Sequence, residues 1–414
     1  MRICLIGYRG NPYSGGQGIY LYNLSRELAR LGHEVEVIVG PPYPQPMDHW
    51  CVVHKLPNLN LWGRYGGQWL PRSHPLKLLE PWNLFDFAAT RLRFFPEPFS
   101  FGFRAFAELR RLLETRRFDL LHDVQTLGYG VWAMKGYGMP VVTTVHHPLT
   151  VDRREAFARD RSFNERYHTA VFFPVTMQGF VIRRLTHVIT ASLAGKEAIM
   201  EDFRVAPERI SIVPNGLDTE TFHNPGCWKR RKNTLLFVGN TDDVKKGAGH
   251  LLQAMRKLPA GVRLRIVDDP YPAKTLIAGE VERLGLGKRV TFTGKLSEAR
   301  LLEEYCRCTL LVQPSLYEGF GLPAAEAAAC ETPVVATEVG AVAEVVTPDT
   351  GVLVPPADAR SLAGAVRELL GDPERRAALG RAGRRRMLHR FSWPGTARNT
   401  VRVYERVLAG QWAP

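Results

Sequence analysis

A repeated alternation of short apolar runs with amphipathic stretches constrains this chain most. Ile3, Leu5 and Ile6 form the first run. A turn-rich loop (GYRGNPYSGGQG) follows, then Leu21, Leu24, Leu28 and Leu31 recur at helical spacing. Gly32 ends that helix, and Glu34 to Val39 (EVEVIV) reads as the next strand. Such a strand–helix–strand unit predicts a parallel sheet covered on both faces. The alternation returns at Asp119 to His122, Val141 to Val145, His187 to Thr190 and Ile210 to Val213. A second series starts at Thr234 and continues through Leu264 to Val267, Val290 to Thr293, Thr309 to Val312 and Pro333 to Ala336. Between the two lies PNGLDTETF, residues 214–222, which reads as a hinge. The expected organisation is an α/β chain with one domain at 1–216 and a second at 217–390. A tail at 391–414 carries a helix with Val401, Tyr404 and Val407 on one face. A length of 414 residues suits two domains.

Composition excludes several classes. The chain is 45% hydrophobic and 23% charged, as in ordinary globular proteins, which rules out a disordered chain. The longest largely apolar stretch found, Ala170 to Ile182, is interrupted by Pro174 and Gln178 and is too short to span a bilayer. The N-terminus reads as a first strand rather than a secretory signal, so the expectation is a cytoplasmic protein. Six scattered cysteines lack zinc-site spacing and read as reduced core thiols. A net charge of +14 implies affinity for something acidic.

The segment richest in chemistry is PSLYEGFGLPAAE, residues 314–326. It follows a buried strand, and open α/β sheets bind ligands outside the carboxyl ends of their strands. Gly319 and Gly321 allow a sharp bend and leave N–H groups unshielded. Pro323 and the alanines after it start a helix, so the loop runs into a helix N-terminus that suits a phosphate. Glu326, one turn inside, suits a ribose diol, since a carboxylate accepts from two adjacent hydroxyls. Glu318 can point at whatever the phosphate carries.

Two glutamates enclosing G-F-G-L-P after an apolar strand resemble the nucleotide-sugar site of the family 4 retaining glycosyltransferases. Further matches cover nearly the whole chain: the Gly-Gly loop, VPNGLD, FTGKLSEARLLEEY, TPVVATEVG and the FSW before the last helix. The resemblance implies the GT-B fold, two Rossmann-like domains facing across a cleft, with the final helix crossing back to the first. It also implies roles. Glu318 would hold hydroxyls of the donor sugar, Glu326 the ribose, and the N–H groups of Gly319, Phe320, Gly321 and Leu322 the diphosphate. Lys246 matches the family's diphosphate-binding Lys, whereas Asn240 stands where an Arg is usual, leaving open whether Lys245 replaces it. Gly15 and Gly16 would reach the same diphosphate from the other domain, though Gly-Gly alone is also a tight turn. His146 matches a histidine that contacts the donor sugar; His147 beside it is an alternative, as is a packing role. Backbone from Gly294 to Leu296 would meet the base. His122 reads as structural, and Lys245-Lys246 could also be a solvated pair.

No Asp-x-Asp dyad appears where a metal-dependent transferase needs one, and the Asp242-Asp243 and Asp268-Asp269 pairs read as turn residues. The expectation is a metal-independent hexosyl transfer with no cofactor besides the nucleoside-diphosphate sugar, which is the donor substrate. The acceptor stays open. Residues 61–107 hold twelve aromatics, and Lys55 to Arg117 has 11 basic against 5 acidic residues. That mixture is either the core of an insertion at about 43–117 or a surface that meets an anionic membrane. Nothing else supports nucleic acid. The acceptor is therefore either lipid-linked or a soluble glycan or small molecule, and a GT-B nucleotide-sugar epimerase is the alternative from another class. The Arg-rich run ERRAALGRAGRRRMLHR reads as a solvated helix face.

Overall fold

The computed structural model describes residues 1–11, 16–44, 46–59, 61, 75–268 and 276–411. It divides into two compact units, one of Met1–Pro214 with Thr396–Pro414, the other of Asn215–Gly395. The first unit holds strands β1 (Arg2–Gly7), β2 (Glu34–Val39), β3 (Val52–Lys55), β4 (Leu120–Val124), β5 (Val141–Val145), β6 (His187–Thr190) and β7 (Ile210–Ile212). The second holds β8 (Thr234–Val238), β9 (Arg263–Val267), β10 (Val290–Phe292), β11 (Leu310–Gln313), β12 (Val334–Thr337) and β13 (Gly351–Val354).

Among the described residues the first sheet runs β3-β2-β1-β4-β5-β6-β7 and the second β10-β9-β8-β11-β12-β13, with every pairing parallel. Both are doubly wound sheets of the Rossmann type. In each, strand order reverses beside the first strand of the series, between β1 and β4 and between β8 and β11, and the crevice there is where such sheets bind ligands. Central strands are buried on both faces: Ile3, Leu5, Leu121, Leu235 and Leu311 are fully inaccessible.

Two edge strands, β3 and β13, do not stand out in the sequence. Each pairs on one side only and is four residues long: VVHK carries two polar residues and has no fully buried position, while GVLV is apolar but leaves its two middle positions partly exposed. The first helix, Gly16–Arg30, buries Leu21, Leu24 and Leu28, but Leu31 lies beyond its end and is 41% exposed. The chain turns away there: Gly32 takes φ +84° and the His33 N–H returns to the Leu28 carbonyl, the left-handed stop that glycine permits.

Residues 43–117 supply β3 and the helices Pro81–Arg91 and Glu97–Leu113. Phe95 and Phe101 are buried, and Phe99 and Phe106 pack against the same core. Trp82, Phe85, Phe87, Phe94 and Phe103 are half-buried, while Trp62, Tyr65 and Trp69 lie outside the described residues. The large apolar side chains exposed among the described residues of 43–117 are instead Val52, Leu76, Leu79, Leu84 and Leu92.

The last helix is Trp393–Leu408, and its residues from Thr396 onward belong to the first unit. Ala397, Thr400, Tyr404 and Val407 are buried there, and the Tyr404 hydroxyl meets His122 Nδ1 while His122 Nε2 meets Thr144 Oγ1. His122 is thus a buried structural residue.

The Arg-rich helix Pro373–Arg390 is not merely solvated. Arg384 donates to the carbonyls of Thr219, Phe222 and Ala329, Arg386 to those of Glu344 and Val345, and Arg376 to those of Leu369 and Leu370. These guanidiniums close the ends of neighbouring elements. Of the six cysteines, Cys227 is exposed rather than in the core, and all are free. Among the described residues no helix is long and apolar enough to cross a membrane.

Phe101 is 1% exposed in the middle of the first unit's core. Phe101→Ala is expected to lower stability by about 3–5 kcal/mol, measured by urea unfolding monitored by circular dichroism.

Candidate active site

In the second unit the loops after β8 and β11 converge. The β8 loop is tied to the strand beside it: Asp268, at the end of β9, accepts from the Thr241 N–H at 2.7 Å and from the Thr241 hydroxyl. Asp243 caps the short turn Val244–Lys246 by accepting from the Lys245 N–H. Asp243 and Asp268 are thus turn-fixing acids, Asp242 takes part in the turn through its backbone N–H, and Asp269 lies outside the described residues. Gly247 then takes φ +67°, and a Cβ there would stand 1.9 Å from the Pro314 carbonyl oxygen. Only glycine lets this backbone lie against the loop after β11. The Lys245 carbonyl, accepting from the Leu316 N–H at 2.6 Å, completes the junction.

That junction delivers Lys246 to Glu318. Lys246 Nζ donates to Glu318 Oε1 at 2.7 Å, and the Ser315 hydroxyl donates to the same oxygen at 3.0 Å. Glu318 is buried and Lys246 is partly exposed. The loop after β12 closes behind them. Gly340 takes φ +48° with its would-be Cβ 2.2 Å from the Glu318 carbonyl oxygen, which also accepts from the Ala341 N–H.

Beyond Glu318 the chain enters the helix Leu322–Ala329 with Gly321 at its N-cap. Gln313, at the end of β11, accepts from the Ala324 N–H at 3.0 Å and sets the helix start. Among the described residues no acceptor takes the N–H groups of Gly319, Phe320, Gly321 or Leu322. Free donors at a helix N-terminus beside a lysine suit a phosphate group. Phe320 is turned into the core against Phe391.

Glu326 lies one turn further, partly exposed, with Oε2 accepting from the Tyr305 hydroxyl at 2.6 Å. Burial pushes its carboxyl up to about 7. Leu296, after β10, packs against the cluster that contains Phe320 and Ala324. Asn240 is exposed, and its side chain accepts from the Asp242 N–H, shaping the turn. Lys245 Nζ stands 4.0 Å from Asp243.

In the first unit, Gly16 opens the first helix with free space around it, while Gly15 lies outside the described residues. His146 follows β5. Its ring meets Tyr20 edge-on with centroids 4.8 Å apart, and its Nε2 is buried with no partner among the described residues. Burial and the neighbouring His147 push its pKa down to about 3, so the ring is neutral at working pH.

Gln125, which sequence reasoning missed, stitches the β4 and β5 loops. It accepts from the His146 N–H at 2.8 Å and donates to the His147 carbonyl at 2.9 Å. Buried Asp123 holds that loop through the Thr126 and Leu127 N–H groups, and burial pushes its carboxyl up to about 6. A cavity of about 230 Å³ opens beside these loops, lined in part by Tyr8, Arg9, Gln17, Gln125, His147 and Gln178. His147 is held by Asp152 at 2.9 Å, and Arg9 by Glu97 at 2.7 Å. No local pattern marks Gln125, Arg9 or Gln178 in the sequence. Among the described residues no group of three or more His, Cys, Asp or Glu stands together to hold a metal ion.

Two doubly wound parallel-sheet units, the second with a lysine, a glutamate and a glycine loop at its switch point, define a GT-B type transferase. Comparison with known proteins agrees. The profile for glycosyl transferases group 1 matches residues 218–386, and that for glycosyltransferase family 4 matches residues 14–221. An MMP alpha-(1->4)-mannosyltransferase of Mycolicibacterium hassiacum is 39% identical, covering 99% of both chains. Glycogen synthase of Mycobacterium tuberculosis is 27% identical over 100% of this chain and 97% of its own. Among solved structures, sucrose-phosphate synthase of Thermosynechococcus elongatus superposes with a TM-score of 0.76 at 26% identity, covering 99% of this chain and 100% of that one. The chain belongs to the family 4 glycosyltransferases.

Gly247→Ala is expected to destabilise the protein by more than about 1 kcal/mol, because its φ is positive and a carbonyl occupies the Cβ position. Thermal unfolding of the purified variant checks this.

Proposed function

We propose that this enzyme moves a hexosyl group, a mannosyl group in the first instance, from a nucleoside-diphosphate sugar to a hydroxyl of a glycan acceptor with retention at the anomeric carbon. The observation that carries the reading is the Lys246–Glu318 pair beside the unpartnered N–H groups at the Leu322–Ala329 helix start. Leaving-group departure puts negative charge on the β-phosphate. Lys246 and the N–H groups of Gly319 to Leu322 are fixed donors for that charge, and removal of one such donor typically costs about 3–4 kcal/mol of barrier. Glu318, no longer paired with Lys246 alone, takes hydroxyls of the sugar. Glu326 takes the ribose diol through the oxygen that Tyr305 leaves free, and Leu296 borders the base. Asn240 carries no charge, so Lys245 is assigned the second cationic contact to the diphosphate.

The roles of Gly15, Gly16 and His146 toward the donor rest on the family resemblance. A neutral His146 can accept from or donate to a sugar hydroxyl without adding charge. The mannosyl assignment and the α-linked product follow the name of the Mycolicibacterium relative. An α-linked nucleotide sugar that yields an α-glycoside is retention. HepE of Anabaena, solved with UDP and glucose, has a TM-score of 0.70 at 18% identity and supports the fold. Metal independence belongs to the proposal as well: lysine and backbone donors supply the charge stabilisation a divalent ion would give.

A sugar acceptor suits the cavity of the first unit. Arg9, the one arginine or lysine among the described lining residues, is already paired with Glu97, so the described lining offers amides, a phenol and an imidazole to uncharged hydroxyls. The described aromatics of residues 61–107 are buried or half-buried, which favours this acceptor over a bilayer-bound one.

A screen of GDP-, UDP- and ADP-sugars by thermal shift and by donor hydrolysis tests the reading. One donor is expected to raise Tm by several degrees, and Lys246→Ala to lower turnover by roughly 10²–10³-fold with little remaining shift. Equal shifts in the two proteins remove Lys246 from the site. The Glu326 carboxyl, raised to about 7, binds its proton more tightly folded than unfolded. Its contribution to stability is therefore present at low pH and lost as pH climbs to about 7. Nucleotide affinity runs the other way, since only the carboxylate accepts from both ribose hydroxyls. Calorimetry is expected to show binding weakening as pH falls below about 7, and Glu326→Gln to flatten that dependence.

A further inference from the structure

The first unit holds another cavity, of about 860 Å³, bordered by Trp132, Lys135, Arg183, Arg184 and Arg209. It lies at the opposite end of the sheet from His146. Thr186, which also lines it, directly precedes β6, whereas His146 directly follows the carboxyl end of β5. A five-residue strand separates the two ends by roughly 16 Å.

Four cations meet here, and the partners that hold them are neutral. Lys135 Nζ donates to the Arg184 carbonyl at 2.6 Å. Arg209 donates to the carbonyls of Arg183 and Leu185, and Arg183 to that of Phe203. The Arg184 guanidinium sits 3.7 Å from the centroid of the Phe180 ring and donates to the Phe180 carbonyl. Carbonyls and a ring orient these groups without cancelling their charge, and among the described residues no carboxylate lines the cavity. Glu208, next to Arg209 in the chain, is the acid whose charge Arg209 feels.

The surrounding field is positive. Burial and the charge of Arg209 hold the Lys135 ammonium below the usual lysine range. Burial, Arg406, Arg209 and Lys196 push His187, at the start of β6, down to about 4. An ammonium with three donors and guanidiniums with five have N–H groups left after these carbonyl bonds. Held in place, they lose little freedom on meeting an anion.

We propose that this cavity is a second ligand site, for a phosphate-bearing polyanion gripped by Lys135, Arg184 and Arg209 with Trp132 at its rim. Its volume falls in the range of small-molecule sites and exceeds what a single phosphate fills. Trp132 is 40% exposed, an apolar wall for whatever carries the phosphates. A phospholipid headgroup and a soluble polyphosphate share this chemistry, and the test separates them.

Inorganic tripolyphosphate is titrated at low salt with the indole fluorescence of Trp132 as the signal, assigned by its loss in Trp132→Phe. Saturable binding is expected in the wild type and equally in Lys246→Ala, which lacks the lysine assigned to the donor diphosphate. In Lys135→Gln/Arg184→Gln the Kd is expected to rise by at least roughly tenfold, since charge-assisted bonds to phosphate are lost. The charge-conserving pair Lys135→Arg/Arg184→Lys is expected to keep most of the binding, which separates loss of charge from loss of fold. An unchanged Kd in the glutamine pair, or loss of the titration in Lys246→Ala, overturns the proposal. So does a wild type that shows no saturation. Co-sedimentation with phosphatidylglycerol vesicles against phosphatidylcholine vesicles, lost in the glutamine pair, assigns the phosphate to a headgroup. Tripolyphosphate saturation without sedimentation assigns it to a soluble polyanion.

Discussion

Parallel pairing is the constraint from which the rest follows. When every strand of a sheet points the same way, every carboxyl end faces the same side, and each connection must cross back over a face through a helix. The loops that carry chemistry are thereby gathered on one rim. Reversal of strand order beside β8 separates two of them, so the Lys246 turn and the Glu318 loop meet without either strand covering the gap. The same reversal beside β1 leaves room for the Gln125 stitch and the cavity next to it.

Within that frame the candidate site is held by backbone. Gly247 lies against the Pro314 carbonyl and Gly340 against that of Glu318, contacts closer than any side chain would allow. Their effect is to place an ammonium on a buried carboxylate with a serine hydroxyl as second donor. A buried carboxylate is costly unless paired, and under the proposed function this same lysine turns to the donor's diphosphate. The first unit treats charge in a similar way: Arg9 is answered by Glu97 and His146 is kept neutral by burial. The basic cavity at the other end of β5 and β6 departs from that pattern, its cations being held by neutral groups.

Much of this is readable in the sequence. Most strands announce themselves because a strand buried on both faces is mainly apolar and β-branched, as in TLLFV and VVTTV. Edge strands are less uniformly marked: β7 and β10 show in the sequence, whereas β3 and β13 do not. The Gly-x-Gly-Leu-Pro run marks a loop entering a helix, and Lys246 before Gly247 marks a turn. The aromatic segment was ambiguous because composition says which side chains favour an apolar setting, not whether core or bilayer supplies it. Placement of Phe101 and Phe95 inside the first unit followed from helix Glu97–Leu113 packing on the sheet.

Sequence alone therefore determined the doubly wound class, the family and the local conformation of the loop at 314–326, because periodicity and turn chemistry act over a few residues. Tertiary structure decided the partners. Lys246 and Glu318 are 72 positions apart, His122 and Tyr404 are 282 apart, and Gln125 reaches a loop 21 residues on. Which groups meet across such separations depends on strand order and on how closely two backbones approach, and neither is written in any short stretch of residues.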